Sequence, residues 1–99
     1  MSRIDRERCD TLVMAALEAS PRTGEEILDH LARTARRTPR PSVRQLWTSL
    51  HRLERNRLLR RVVGDRRRFR LTDTGLRVLH ARVAAVQAYG SALELATAT

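Results

Sequence analysis

Apolar positions at Ile4, Leu12, Val13, Ala16 and Leu17 predict a first helix from Ile4 to Ala19, buried along its second half and ended by Ser20 and Pro21. Thr23 followed by Glu26 has the spacing of a capping box, in which each side chain bonds the other residue's backbone N–H. Ile27, Leu28, Leu31 and Ala32 then mark one buried face of a second helix that runs out near Arg37. Pro39 and Pro41 interrupt the chain, and Ser42 with Gln45 forms another capping box. It opens a third helix whose apolar positions are Val43, Leu46, Trp47, Leu50 and Leu53.

Beyond Asn56 the period changes. Leu59 to Val63 is apolar or Arg, Gly64 and Asp65 suit a tight turn, and Arg68 to Leu71 alternates charge with Phe69 and Leu71, which together predict a two-stranded hairpin. Thr72 or Asp73 can cap a last helix in which Leu76, Leu79, Val83, Val86, Gly90 and Leu93 follow three-four spacing. Such a seam calls for a partner helix, so homodimerisation through Leu76, Leu79, Val83, Val86 and Leu93 is expected. Gly90 is its weak point, and Ala96 to Thr99 should fray. The expected fold is mainly α with a small β-hairpin: a winged helix-turn-helix over 1–72 followed by a C-terminal dimerisation helix over 73–99, in one compact unit.

Charge sharpens this picture. The chain has 20 basic and 11 acidic residues, a net charge of +9, and every basic residue is Arg. A polyanion is the natural partner, nucleic acid ahead of an anionic membrane. The sign of the charge counts for more than the residue type, because an Ala- and Arg-rich chain is also what a GC-rich genome encodes. No apolar run approaches the ~18 residues of a membrane span, and the first residues lack the apolar core of a signal peptide. With the single cysteine Cys9, these features suggest a cytoplasmic, nucleoid-associated protein with no membrane partner.

On a wheel of ~3.6 residues per turn, helix three turns Leu46, Leu50 and Leu53 inward and Arg44, Gln45, Thr48, His51, Arg52 and Arg55 outward. Arg and Gln can bond guanine and adenine edges bidentately, Thr48 or His51 can add single bonds, and the helix start at Ser42 suits a phosphate. A merely solvated polar face is the common alternative; the hairpin shifts the balance. Arg60, Arg61, Arg66, Arg67, Arg68 and Arg70 crowd one turn with only Asp65 against them, so the tip repels itself unless an anion approaches. Helix three would supply specificity, and a wing of Arg66, Arg67, Arg68 and Arg70 would supply affinity.

These residues resemble a family. Leu46 to Glu54, with Leu58 and Leu59, is similar to the aromatic-containing recognition helix of PadR-like transcriptional regulators, and Gly64 to Gly75 resembles their basic wing and the start of their dimer helix. Leu12 to Leu17 and Thr23 to Ile27 fit the first two helices more loosely. MarR-like regulators, which share the wing and the Thr-Gly helix start, are the second resemblance. The likeness implies a homodimeric bacterial repressor on double-stranded DNA, in many members relieved by a small hydrophobic effector. Two positions depart from it: Glu25 and Trp47 stand where the family commonly has Tyr. Trp47 can pack in the core, touch the DNA backbone or line an effector cavity.

Catalysis is not expected: His30, His51 and His80 lie at spacings that build no recognised motif, and no metal or cofactor is implied. Cys9 reads as a small helix filler rather than a redox sensor. An architectural or protein-interaction winged helix without sequence readout is the alternative function; Gln45, Thr48 and His51 favour readout.

Overall fold

Four side-chain oxygens set where the helices begin. In the computed structural model, which describes residues 4–98, Asp5, Thr23, Ser42 and Thr72 each sit in extended backbone and accept a hydrogen bond from the N–H three residues on. The resulting elements are α1 (Arg6–Ala16), β1 (Arg22–Thr23), α2 (Gly24–Thr34), α3 (Val43–Arg55), β2 (Leu59–Val62), β3 (Asp65–Leu71) and α4 (Asp73–Thr97). Both expected capping boxes form, with Glu26 Oε1 accepting from Thr23 N and Gln45 Oε1 from Ser42 N, each at 2.9 Å. The fold is mainly helical with a small antiparallel sheet.

α1 and α2 are shorter than the sequence pattern predicts. The cap at Asp5 delays α1 to Arg6, and the helix stops at Ala16, where the Leu17 N–H turns back to Met14 O at 3.0 Å. The second helix stops at Thr34, short of Arg37, and Ala32 faces out. α4 holds as far as Thr97, past the predicted fraying at Ala96; Thr99 lies outside the described residues.

The hairpin has a third strand that the sequence did not announce. β1 pairs antiparallel with β3 through Arg22 opposite Phe69 and Thr23 opposite Arg68, giving the order β1-β3-β2. Two residues are too few for an alternation to show. β2 and β3 pair from Leu59 opposite Leu71 to Arg61 opposite Phe69, with an irregularity between Arg61 and Val62, and Gly64 takes φ of 88° at the turn.

Val13, Met14, Ile27, Leu31, Leu46, Leu50, Leu53, Leu59, Phe69 and Leu79 form the buried core, so one apolar cluster joins all four helices to the wing. Two buried polar residues lie beside it. Asp10 of α1 accepts hydrogen bonds from Ser49 Oγ and from both Nε and Nη2 of Arg52, tying α1 to α3. α4 is stapled where it starts: Thr72 N and Thr72 Oγ1 both donate to Leu58 O, at 3.0 and 3.2 Å.

The predicted seam on α4 divides. Leu79 is 1% exposed and belongs to this chain's own core, because the first turns of α4 lie against α1, so it is withdrawn from the partner-facing row. Leu76 is half-buried. Val83, Val86 and Leu93 remain open to solvent, joined by Tyr89. α4 gives the molecule its length of 55 Å against 31 and 21 Å in the other directions.

Candidate nucleic-acid interface

The buried stripe of α3 is Leu46, Ser49, Leu50 and Leu53, and that fixes what the helix shows to solvent. Arg44, Thr48 and His51 stand out from the surface with no hydrogen bond to another described side chain, as the wheel predicted. Ser42 is exposed at the helix start, its Oγ accepting from Gln45 N at 3.1 Å. Val43, counted with the apolar face by sequence, is 61% exposed.

Two of the expected base-reading residues are occupied inside the chain. Gln45 accepts from Ser42 N through Oε1 and donates to Ile4 O through Nε2, so one acceptor and one donor site of its amide are engaged inside the chain. Arg52 lies on Asp10 as a bidentate ion pair with its side chain 23% exposed, and those hydrogen bonds hold its pKa above the usual guanidinium value. Both belong to the scaffold of α3.

The wing is sorted in the same way. Arg68 is held by Asp65 at 3.0 Å and by Glu26 across the sheet, so it braces the wing against α2 and is not a free cation. Hydrogen bonding to Thr23 and the nearby Arg68 charge keep the Glu26 carboxyl below its ordinary pKa. Arg61 bonds Glu54 at 3.1 Å and lies over the Phe69 ring at 4.7 Å. Arg60, Arg66, Arg67 and Arg70 are exposed and make no ion pair with a described residue. Arg60 stands directly opposite Arg70, a like-charge cross-strand pair that destabilises the hairpin in isolation.

Trp47 occupies the junction of α2, α3 and the wing. It is 40% exposed, meets Phe69 edge-on at 6.3 Å between centroids, and meets His51 edge-on at 6.4 Å. Gly24 makes its position possible by leaving space beneath the ring. The ring borders a recess of about 140 Å³ that also touches Thr23, Arg61 and Arg67.

Sequence reasoning missed Asp10, Ser49 and Gly24. Ser49 was within reach, since it falls on the same helical row as Leu46 and Leu53. Asp10 carried no local signal, because its partner Arg52 is 42 residues away. Burial pushes the Cys9 thiol pKa up, in keeping with a packing role. No group of three or more His, Cys, Asp or Glu among the described residues is placed to hold a metal, and no described helix is long and apolar enough to cross a membrane.

Three helices, a small sheet ending in a basic hairpin and a long trailing helix define a winged helix-turn-helix. In sequence the chain matches no family model and no curated protein. In structure it is similar to a transcriptional regulator from Clostridium thermocellum, Cth-833, with a TM-score of 0.78, 17% identity, and 90% of this chain and 89% of that chain covered. A PadR family transcription regulator from hypervirulent Clostridium difficile R20291 gives 0.72, 20% identity, and 88% and 95% coverage. Bacillus subtilis PadR gives 0.68 and 14%, over 84% of this chain and 45% of that one. The chain has the PadR-like winged-helix fold.

Proposed function

We propose that this chain is a sequence-specific DNA-binding transcriptional regulator, a repressor that occupies an inverted-repeat operator as a homodimer. The observation that carries the reading is the split among its cations. Arg44 on α3 and Arg60, Arg66, Arg67 and Arg70 on the wing are exposed and make no ion pair with a described residue, while the acids beside them, Glu26, Glu54 and Asp65, are taken up by Arg68 and Arg61. A surface that neutralises its own acids and leaves its arginines free is made for a polyanion. α3 would enter the major groove with Arg44, Thr48 and His51 toward base edges, and Ser42 would mark a backbone phosphate. Arg66, Arg67 and Arg70 would grip phosphates, with Trp47 beside them.

Dimerisation rests on the exposed row Val83, Val86 and Leu93, which a second copy of α4 would cover. A two-fold dimer would place two α3 helices in successive major grooves, with half-sites about one turn, ~10.5 base pairs, or a multiple apart. The recess at Trp47, about 140 Å³, is below the ~300 Å³ of ordinary ligand pockets, so a small hydrophobic effector would need a second copy to complete its site. The engagement of Gln45 inside the chain keeps one other reading in play, an architectural binder without sequence preference. Footprinting on the promoter of the protein's own gene, with competition by random duplex and a salt titration, tests both. A two-fold footprint that random DNA cannot displace supports the repressor. Equal affinity for both duplexes supports the architectural reading, affinity flat with salt removes the arginine-to-phosphate basis of the proposal, and no affinity at low salt removes DNA binding altogether.

A further inference from the structure

The longest acid-free stretch of the chain is not the wing. Between Asp29 and Glu54 there is no acidic residue, while arginines stand at Arg33, Arg36, Arg37, Arg40, Arg44 and Arg52. Arg33 pairs with Asp29 at 2.9 Å and Arg52 with Asp10. The acid that closes the stretch, Glu54, is taken by Arg61. Arg36, Arg37 and Arg40 are exposed and pair with no described residue.

We infer that the segment joining α2 to α3 is a third DNA-contacting element, in which Arg36, Arg37 and Arg40 hold the phosphate backbone at the edge of the groove that α3 enters. The inference rests on the DNA-binding reading above and extends it to residues outside α3 and the wing.

Position is the first argument. Arg40 precedes the Ser42 cap by two residues, and the start of a recognition helix is the part that approaches base edges. The chain leading into that start must cross the rim of the groove. With ~3.3 to 3.6 Å of reach per residue against a groove ~12 Å wide, Arg37 and Arg40 can both stand over the rim.

The second argument is order. Thr38 N bonds Ala35 O at 3.2 Å to make a turn, Pro41 is buried, and Pro39 and Pro41 fix their own φ angles. A segment held in this way loses little freedom on binding. Three like charges within five residues raise the local positive potential, and an approaching phosphate lowers it. All three precede the Ser42 cap and stand outside the helix that enters the groove, so the contact is to phosphate and supplies affinity without base preference.

The test uses the full chain with Arg36→Gln, Arg37→Gln and Arg40→Gln combined, titrated against an operator duplex and a random duplex from about 50 to 200 mM salt. Three phosphate contacts at a slope of ~0.9 each account for about a 40-fold share, per bound chain, of the affinity lost over that interval. The triple variant should bind both duplexes more weakly by the same factor, keep the operator-to-random ratio, and lose that share of the salt dependence. Arginine-to-lysine changes at the three positions should restore most of the affinity. Unchanged far-UV dichroism and melting temperature would show that the fold is intact. Unaltered affinity and salt slope would overturn the inference, as would a loss confined to the operator, which would mean base reading. A parent protein that binds neither duplex would overturn the DNA reading itself, a result distinct from a binding parent with an indifferent triple variant.

Discussion

Gly24 lies so close beneath the Trp47 indole that a Cβ built on the glycine would stand 2.8 Å from Cζ2 and 3.1 Å from Cη2. The first residue of α2 thereby sets the seating of a ring that also touches Phe69 in the wing. Gly24→Ala should displace the indole while the fold survives, at a cost of ~1 kcal/mol, because a ring edge can shift where backbone cannot. Trp47 is the only Trp, so its emission reports the change directly. An unshifted emission maximum together with unchanged DNA affinity would show that the contact does not set the wing.

Gly75 has no such slack. A Cβ there would come within 2.0 Å of Leu58 O, a backbone atom. Gly75→Ala should therefore cost ~3 kcal/mol and detach the start of α4, lowering the melting temperature by more than 10 °C at the ~4 to 8 °C per kcal/mol typical of small domains. Gly90 faces open space, and Gly90→Ala should stabilise the helix by up to ~1 kcal/mol. A destabilised Gly90→Ala protein would show that the second α4 proposed over Val83, Val86 and Leu93 packs closely at that glycine.

Asp10 and Arg52 should behave as scaffold. Removing the carboxylate in Asp10→Ala leaves a partly buried guanidinium and a buried Ser49 hydroxyl without their acceptor, for a loss of ~2 to 3 kcal/mol in urea unfolding. Arg52→Gln should lower stability too, yet leave operator-to-random discrimination as it was. Arg44→Ala should do the reverse, eroding discrimination by ~1 to 3 kcal/mol with little change in stability. Discrimination lost through Arg52 would contradict the closed pair seen here.

The α4 seam should split between two measurements. Leu79→Ala should cost ~2 to 5 kcal/mol of protomer stability, as a buried core leucine does. Val83→Asp with Val86→Asp should change the sedimenting mass and spare the core. A mass unaffected by the double change would rule out this row as the dimer contact.

Acid should loosen the brace between α2 and the wing. The Glu26 pKa is depressed in the folded protein, so the stability it contributes is complete above its ordinary value of 4.5. It is lost as pH falls below that value and through the folded pKa. Glu26→Gln should be less stable at neutral pH and should show a shallower acid limb than the parent. Parallel acid limbs would show that Glu26 is not a group that titrates with unfolding.

Much of the frame could be read from local chemistry. Thr23 with Glu26 and Ser42 with Gln45 mark helix starts to the residue, because a cap is a contact between near neighbours. The same pairs bear on the site, because the capping box takes one of the two acceptor positions on the Gln45 carbonyl and so narrows what that side chain can offer a base. Arg52 and Leu79 look like their neighbours on a wheel, and only distant partners, Asp10 in one case and the α1 packing in the other, decide their roles. β1 exists because β3 has an open edge beside it, a fact of the folded sheet rather than of Arg22 and Thr23.

The last hydrogen bonds of α4 to the body among the described residues are His80 to Glu18 and Arg82 to Thr11. From there to Thr97 the helix projects as a cantilever of ~22 Å. Tilting it by roughly 10° would carry its tip through about 4 Å, so small angular play at the root becomes a shift on the scale of a base-pair step. In a two-fold assembly built on such arms, the distance between the two α3 helices would be tuned from the root, where His80 meets Glu18 and Arg82 meets Thr11.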